Sequence, residues 1–195
     1  MKKWMVVLAA MVMAVAVAAG TASAKPAASG TIVDVAAGNK NFSTLVTLVK
    51  AAGLVGALSD DMATLTVFAP TNAAFKVLEK RVPGVTAALT DPKNKKLLVQ
   101  VLQYHVLGSE VKAMDAVAAA KQKAKVPTLL GKNANGQIML SLVGGKVRVT
   151  DSAAFNKARV VITDIEASNG VVHVVDKVFV PKSIAAALTK AGLIG

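Results

Sequence analysis

The residues of this sequence that could carry out chemistry are two histidines and a few carboxylates, and their pattern matches no catalytic motif. His105 and His173 lie far apart, and a zinc site would need further ligands, which a chain without cysteine does not supply at a workable spacing. The carboxylates that could come together in space are Asp151, Asp164, Glu166 and Asp176. No H-E-x-x-H, G-x-S-x-G or phosphate-binding loop occurs. We therefore predict a protein that is not an enzyme and binds neither metal nor cofactor. The alternative is an unrecognised hydrolase whose triad assembles only in space.

The stretch that must position His173 runs from Asn169 to Pro181 and reads N-G-V-V-H-V-V-D-K-V-F-V-P. Asn169 and Gly170 form a turn signal, because glycine tolerates positive φ and asparagine comes close to it. The β-branched run that follows is typical of a strand buried on both faces. Pro181 ends it, because proline has no N–H for the next ladder bond. Inside such a strand His173 and Asp176 must find hydrogen-bond partners.

Asn72 is a further polar position, directly after the predicted strand 64–69. We expect Thr71 to cap a helix that runs through Lys80, with Phe75 turned inward. We expect the Asn72 amide to join the end of the strand to the start of the helix through backbone hydrogen bonds. Because buried polar groups are costly unless paired, we also predict a buried polar network that fixes the register of the strands. Its predicted members are Asn72, His105, Asp164 and His173.

Three segments, in this order, resemble the fasciclin-like domain family. They are Thr66 to Phe75, read as T-V-F-A-P-T-N-A-A-F, the pair Tyr104-His105, and the stretch from Asn169 to Pro181. The resemblance implies an α+β fold: a wedge of mainly antiparallel strands with helices packed against it. It also implies adhesion, because in animal members the Tyr-His segment and Asp-Ile pairs are associated with binding to cell-surface receptors. The matching positions are Tyr104-His105 and Asp164-Ile165.

The order of the predicted elements favours the same fold class. Helices are predicted on both sides of the strand 64–69 in the first part of the chain, and the last helix of that part is predicted at 113–125. Strands are then predicted at 126–130, 137–143, 146–150 and 158–165, with Gly144-Gly145 as a hairpin turn. A helix over 183–191 closes the chain. Helices first and strands later are typical of α+β proteins.

The N-terminus predicts export. Residues 1–24 contain the parts of a secretory signal peptide, which are two lysines, an apolar run over residues 4–19 and the cleavage site Ala22-Ser23-Ala24. Residues 25–30 are predicted to form a flexible tether and residues 31–195 a single fasciclin-like domain. We expect a secreted or periplasmic protein with no stable membrane insertion after cleavage.

The charge favours acidic partners outside the cell. The net charge is +12. Without residues 1–24 it is about +10, because 21 basic and 11 acidic residues then remain. Only three of the basic residues are arginines, and aromatic residues make up 4 %, so nucleic-acid binding is not expected. The expected partners are cell-surface or matrix proteins or polysaccharides, and the expected function is adhesion to, or association with, the cell envelope or extracellular matrix.

A carrier of a small apolar ligand is the alternative function. Some fasciclin-like proteins that this chain resembles bind carotenoid pigments. An apolar groove between helices and sheet, near Met114, Leu129 and Met139, would serve such a ligand. The sequence leaves the oligomeric state open.

Overall fold

Helices and strands alternate at first and strands dominate later. The computed structural model of the chain describes residues 30–190, so the predicted signal peptide and residues 25–29 lie outside it. The helices are α1 (Ile32–Ala37), α2 (Ser43–Ala52), α3 (Val55–Leu58), α4 (Asn72–Arg81), α5 (Val85–Thr90), α6 (Lys95–Gln103), α7 (Ala113–Lys121) and α8 (Lys182–Lys190). The strands are β1 (Leu65–Pro70), β2 (Val106–Leu107), β3 (Lys125–Pro127), β4 (Gln137–Val143), β5 (Lys146–Thr150), β6 (Lys157–Ala167) and β7 (Gly170–Val175). Within residues 30–190, no helix combines the length and the apolar character needed to cross a bilayer.

Side chains fix where the first helices begin and end. Thr31 and Asp34 form a reciprocal capping box at the start of α1, with the Asp34 carboxylate 2.8 Å from the Thr31 N–H nitrogen. The Thr71 hydroxyl accepts the N–H of Ala74 at 3.3 Å, which confirms the predicted cap of α4. Gly53, with φ of +75°, ends α2 in the left-handed conformation that glycine adopts without strain.

The strands of the described chain form one sheet, in the order β2-β1-β7-β6-β5-β4-β3. Neighbouring strands are antiparallel, except that β1 and β7 run parallel with Leu65 opposite Gly170 and Pro70 opposite Val175. β6 connects the two halves of the sheet, because residues 157–159 pair with β5 and residues 160–167 pair with β7. The predicted α+β class with a mainly antiparallel sheet is confirmed.

Apolar side chains pack against both faces of the central pair β1 and β7. On one face Val67 and Val174 pack against a cluster drawn from helices α1, α2, α4, α5 and α6. On the other face Phe68 and Val175 pack against side chains of α7 and strands β4 to β6. Every residue of both strands is buried, which confirms the prediction for the strand that carries His173. Two packed faces hold these strands rigidly and so position the groups attached to them.

The last strand is shorter than the sequence predicts. β7 ends at Val175, whereas the predicted strand continues to Pro181. A longer strand would need the N–H groups of this segment for bonds to a neighbouring strand. Side chains accept two of them instead, since His105 accepts the N–H of Phe179 and Asp151 accepts that of Val180.

One predicted helix differs from the structure, and one helix of the structure had not been predicted. Helix α7 ends at Lys121 rather than at residue 125, because Lys123 adopts φ of +50° and turns the chain into β3. Helix α5 was not predicted. It is a short helix whose apolar side chains Val85 and Leu89 pack into the core.

Candidate functional site

The predicted site residues lie on four elements of the fold. Thr71, Asn72 and Phe75 lie at the start of α4, and Tyr104 and His105 follow α6. Asp164 and Ile165 lie within β6, while Asn169, Gly170, His173 and Asp176 lie along β7 and its two ends. Phe75 is buried in the core, as predicted. The histidines are both buried, so their neighbours decide what they can do.

His105 is enclosed by the core and is held by two backbone groups. Its Nδ1 lies 2.8 Å from the carbonyl oxygen of Val101, and its Nε2 accepts the N–H of Phe179 at 2.8 Å. A carbonyl can only accept, so Nδ1 carries the proton and the ring is neutral. Burial lowers the pKa of His105 to about 4. The ring also stacks on Phe179, with centroids 4.6 Å apart. His105 therefore joins α6 to the segment after β7.

His173 is held in the same way with the opposite tautomer. Its Nδ1 accepts the N–H of Asp164 at 3.2 Å, and its Nε2 lies 2.8 Å from the carbonyl oxygen of Val111. The Phe68 ring lies against it, with centroids 5.6 Å apart. Because backbone groups occupy both nitrogens, neither histidine offers a lone pair to a metal or a proton acceptor to a substrate. Within the described residues, no group of three His, Asp or Glu side chains could hold a metal ion.

Asp164 occupies an irregular point of β6, where the pairing with β7 shifts between Ile162 and Ile165. Its φ is +56°, a conformation that aspartate tolerates better than most residues. Its carboxylate accepts the N–H of Ala113 at 2.9 Å and so caps the first turn of α7. Its own N–H binds His173, so Asp164 ties α7, β6 and β7 together. The residue is nevertheless exposed, whereas Ile165 is half-buried against the core.

Asn72 binds partners that differ from the predicted ones. Its Oδ1 accepts the N–H of Thr44 at 3.0 Å, and its Nδ2 donates to the carbonyl of Lys40 and the hydroxyl of Ser43, both at 2.9 Å. The amide therefore joins the start of α4 to the start of α2, and not to the end of strand β1. The prediction was wrong because it considered only partners that are near in sequence, whereas these lie about thirty residues away.

The predicted network of Asn72, His105, Asp164 and His173 does not form as one unit. Only His173 and Asp164 are bonded, through the Asp164 backbone, and Asn72 and His105 bind other groups. Each side chain satisfies nearby backbone groups, which are the commonest partners of polar side chains in proteins. The side chains of the two histidines are connected only by packing, since Phe68 lies 5.6 Å from the rings of both His173 and Phe179.

Asn169 and Gly170 fix the entry to β7. The Asn169 side chain accepts the N–H of Ile32 at 2.9 Å and donates to the carbonyls of Leu58 and Asp60, so it joins α1 and the loop after α3 to the sheet. Gly170 has φ of +147°, and a Cβ there would lie 1.9 Å from the Leu65 carbonyl oxygen. Only glycine permits this close approach of β7 to β1.

Asp176, at the other end of β7, is bound by one residue. Its carboxylate accepts the N–H of Arg159 at 2.7 Å and the Arg159 guanidinium at 2.9 Å. Tyr104 is fully buried, and its hydroxyl donates to the carbonyl of Gln137 and accepts the N–H of Ser152, both at 2.7 Å. Tyr104 thus joins the end of α6 to the hairpin strands.

Sequence reasoning gave no role to the loop that begins at Asp151. This buried carboxylate accepts the N–H groups of Phe155, Asn156 and Val180 at 2.8–3.1 Å. Burial raises the pKa of Asp151 to about 6, although its backbone donors favour the charged form. Its position before a turn is typical of an aspartate that binds the backbone just after it, and that signal was available.

Arg81 was also missed, and it had no sequence signal. It ends α4 and donates to the carbonyl of Phe155 at 2.9 Å and to the side chain of Asn156 at 2.8 Å. Its guanidinium lies 4.1 Å from the centroid of the Phe155 ring. These partners are more than seventy residues away along the chain.

Comparison with known proteins agrees with this architecture. The sequence profile of the Fasciclin domain matches residues 40–181. The chain belongs to the fasciclin domain family. The predicted family is therefore confirmed.

The relatives of this fasciclin domain differ widely in length. Protein sll1483 of Synechocystis sp. is 45 % identical over 151 residues, which cover 77 % of this chain and 73 % of that protein. The transforming growth factor-beta-induced protein ig-h3 of Sus scrofa is 34 % identical over 155 residues, which cover 78 % of this chain but 19 % of ig-h3. A domain pair from the insect cell adhesion molecule Fasciclin I has the same fold, with a TM-score of 0.69 at 18 % identity, over 80 % of this chain and 52 % of that one.

The surface of this fasciclin domain carries many lysines and few ion pairs. Within the described residues, Lys112 pairs with Glu110 and Glu166, at 3.7 Å and 3.2 Å, and Arg159 pairs with Asp176. The other described lysines have no acidic side chain within 4 Å. Three of them, Lys93, Lys95 and Lys96, are exposed around the N-terminus of α6, where the helix dipole disfavours cations.

The fasciclin domain also contains an apolar cavity, but not where the sequence placed one. The cavity has a volume of about 140 Å³ and lies among helices α1, α2 and α3 and strand β1. Of the three residues predicted to line an apolar groove, Leu129 lies at the cavity and Met114 and Met139 do not. Met114 is 83 % exposed on α7.

Proposed function

We propose that this protein is a secreted or periplasmic, non-enzymatic interaction module. It mediates adhesion to, or association with, cell-envelope or matrix components, which are acidic proteins or polysaccharides. The observation that carries the proposal is the basic surface, in which most lysines lack an acidic neighbour and remain available to a partner. Family membership supports it, because one structural relative is an insect cell adhesion molecule.

The interior supports a binding role rather than catalysis. Both histidines and the buried carboxylate Asp151 are bonded to backbone groups, so their lone pairs and protons serve the fold. A general base needs a lone pair within reach of the substrate proton, and neither ring has one.

Export accounts for the location of the partner. The N-terminal pattern of a charged start, an apolar run and a small-residue cleavage site after Ala24 supports delivery through the secretory pathway. An exported lysine-rich surface meets acidic polysaccharides and envelope proteins, and long-range attraction speeds such encounters.

The test measures retention of envelope or matrix material on the immobilised protein as a function of salt. We expect saturable binding of an acidic polysaccharide, no binding of a neutral glucan of similar length, and loss of affinity as salt rises to about 0.5 M. Reversing the cluster with K93E, K95E and K96E should weaken binding more than the matched triple variant K121E, K123E and K146E. Absence of any saturable partner, or binding that neither salt nor the variants alter, would contradict the proposal.

A further inference from the structure

The interior of the apolar cavity offers a ligand almost nothing but hydrocarbon. Val46 and Val49 of α2 and Val67 of β1 are among the apolar residues that line it. Three of the residues around the cavity have polar side chains, namely Lys50, Gln103 and His105. The ring nitrogens of His105 already bind Val101 and Phe179, so this residue presents only its apolar ring. The interior therefore selects an apolar group.

The polar groups that remain lie at the edge of the cavity. Lys50, in the last turn of α2, is exposed, and Gln103, at the end of α6, is half-buried. Within the described chain no carboxylate lies within 4 Å of the Lys50 ammonium. Leu129, which also lines the cavity, is 46 % exposed and lies next to Gly108. An apolar interior with a cation and an amide at its opening fits an amphiphile that has a negatively charged end.

We propose that this cavity binds the hydrocarbon chain of an aliphatic carboxylic acid, with the carboxylate at Lys50 and Gln103. The volume of about 140 Å³ resembles that of dry cavities that hold a benzene-sized ligand, so it accommodates about six carbon atoms. A carotenoid is several times larger. The inference thus refines the predicted carrier function in both the place and the ligand. It does not depend on adhesion, because the variants that test adhesion change lysines at the start of α6 and leave Lys50 as it is.

The size of the cavity predicts how affinity depends on the length of the ligand's hydrocarbon chain. Each methylene group that enters an apolar site improves affinity about fourfold, until no further group fits. Titration calorimetry with butanoate, hexanoate, octanoate and decanoate should therefore show dissociation constants that fall and then level off near octanoate. Burial of the chain should also give a negative heat-capacity change on binding.

The variants are measured in the protein expressed from the full sequence. K50M keeps the aliphatic stem and removes the charge, and it should weaken octanoate binding about fivefold while leaving octanol binding unchanged. K76M, on the exposed side of α4, is the matched control and should bind both as the wild type does. V46F fills the cavity from α2 and should weaken both ligands more than tenfold. V55F fills it from α3 and replaces V46F if circular dichroism shows that V46F does not fold.

Each outcome decides one part of the proposal. The cavity is supported as the site if the affinity stops rising at hexanoate or octanoate and if V46F or V55F, which fill the cavity, bind more weakly. Absence of binding overturns it, and so does affinity that keeps rising through decanoate and is unchanged in V46F and V55F, because both indicate adsorption to the surface. Equal octanoate affinities for K50M and K76M overturn the carboxylate assignment.

Discussion

Replacing Asp151 by Asn should reveal a loss of stability at acidic pH that the wild-type protein conceals. The reason is that two buried groups, His105 and Asp151, have pKa values displaced in opposite directions over the same range of pH. Burial lowers the pKa of His105 from 6.5 to about 4 and raises that of Asp151 from 3.8 to about 6. Each displacement makes the free energy of unfolding depend on pH.

The two dependences have opposite signs. His105 is neutral when folded, so its contribution is fully present above pH 6.5 and is lost as the pH falls from 6.5 to about 4. Asp151 is protonated more readily when folded, so its contribution is present below pH 3.8 and is lost as the pH rises to about 6. Since one pKa unit corresponds to about 1.4 kcal/mol, each displacement of about two units is worth about 3 kcal/mol. Between pH 4 and 6 the two changes nearly cancel.

Urea unfolding followed by circular dichroism at several pH values between 4 and 7.5 measures the effect. In D151N only the His105 dependence remains, so the free energy of unfolding should fall by about 3 kcal/mol more than that of the wild type between pH 6.5 and 4. D151N should be less stable at every pH, because an amide N–H then faces backbone N–H groups, but the difference in slope carries the test. Other carboxylates contribute equally to both proteins and cancel in the difference.

Two comparisons can refute this reasoning. D115N makes the same chemical change at an exposed position of α7 and should follow the wild-type slope. H105Q removes the histidine and should gain stability relative to the wild type as the pH falls from 6 to 4. If D151N has the same slope as D115N, the opposing titration of these two buried groups is wrong.

Three further substitutions test the positions in the family segments, each by urea unfolding at pH 7. Y104F leaves a half-buried carbonyl and a half-buried N–H without their partner and should cost about 1–3 kcal/mol, whereas unchanged stability would mean that water replaces the hydroxyl. G170A drives a Cβ into the Leu65 carbonyl and should cost more than about 4 kcal/mol, so a well-folded variant would contradict the close strand approach. N72A should cost about 1–2 kcal/mol without altering any partner affinity, and lost binding at unchanged stability would make this residue a contact.

The sequence was sufficient for the fold wherever the controlling pattern is local. The β-branched run after Asn169 predicted a strand buried on both faces, and β7 is buried throughout. Thr71 predicted the start of α4 through its own hydroxyl. Periodicity and capping depend on neighbours within a few residues, so one sequence contains all the information that they need.

The partners of the buried polar groups could not be predicted, because they are distant in sequence. The amide of Asn72 has hydrogen-bonding groups that need partners, which its residue type alone predicts. Its binding to Thr44, however, depends on how α2 packs beside α4. The end of β7 has the same cause. The segment after Val175 continues the β-branched pattern, yet His105 and Asp151 capture its N–H groups from other parts of the chain. Tertiary contacts therefore decide whether this segment continues as a strand or leaves the sheet, because its local sequence favours neither strongly.

The positions on which the predicted resemblance to the family rests are mainly those that hold backbone segments together. His105, His173, Asn169 and Tyr104 each bind main-chain groups from two or more elements, and all four are buried. A side chain used in this way cannot also contact a partner, so the predicted adhesion role of the Tyr-His pair has no exposed group to act through. Asp164 is the exception, because it is exposed while its carboxylate caps α7. A partner that competes for this carboxylate would release the cap, so adhesion at Asp164 would be coupled to the start of α7. Contacts through lysines that have no acidic neighbour would break no such cap. The basic surface is therefore the better basis for the proposed function.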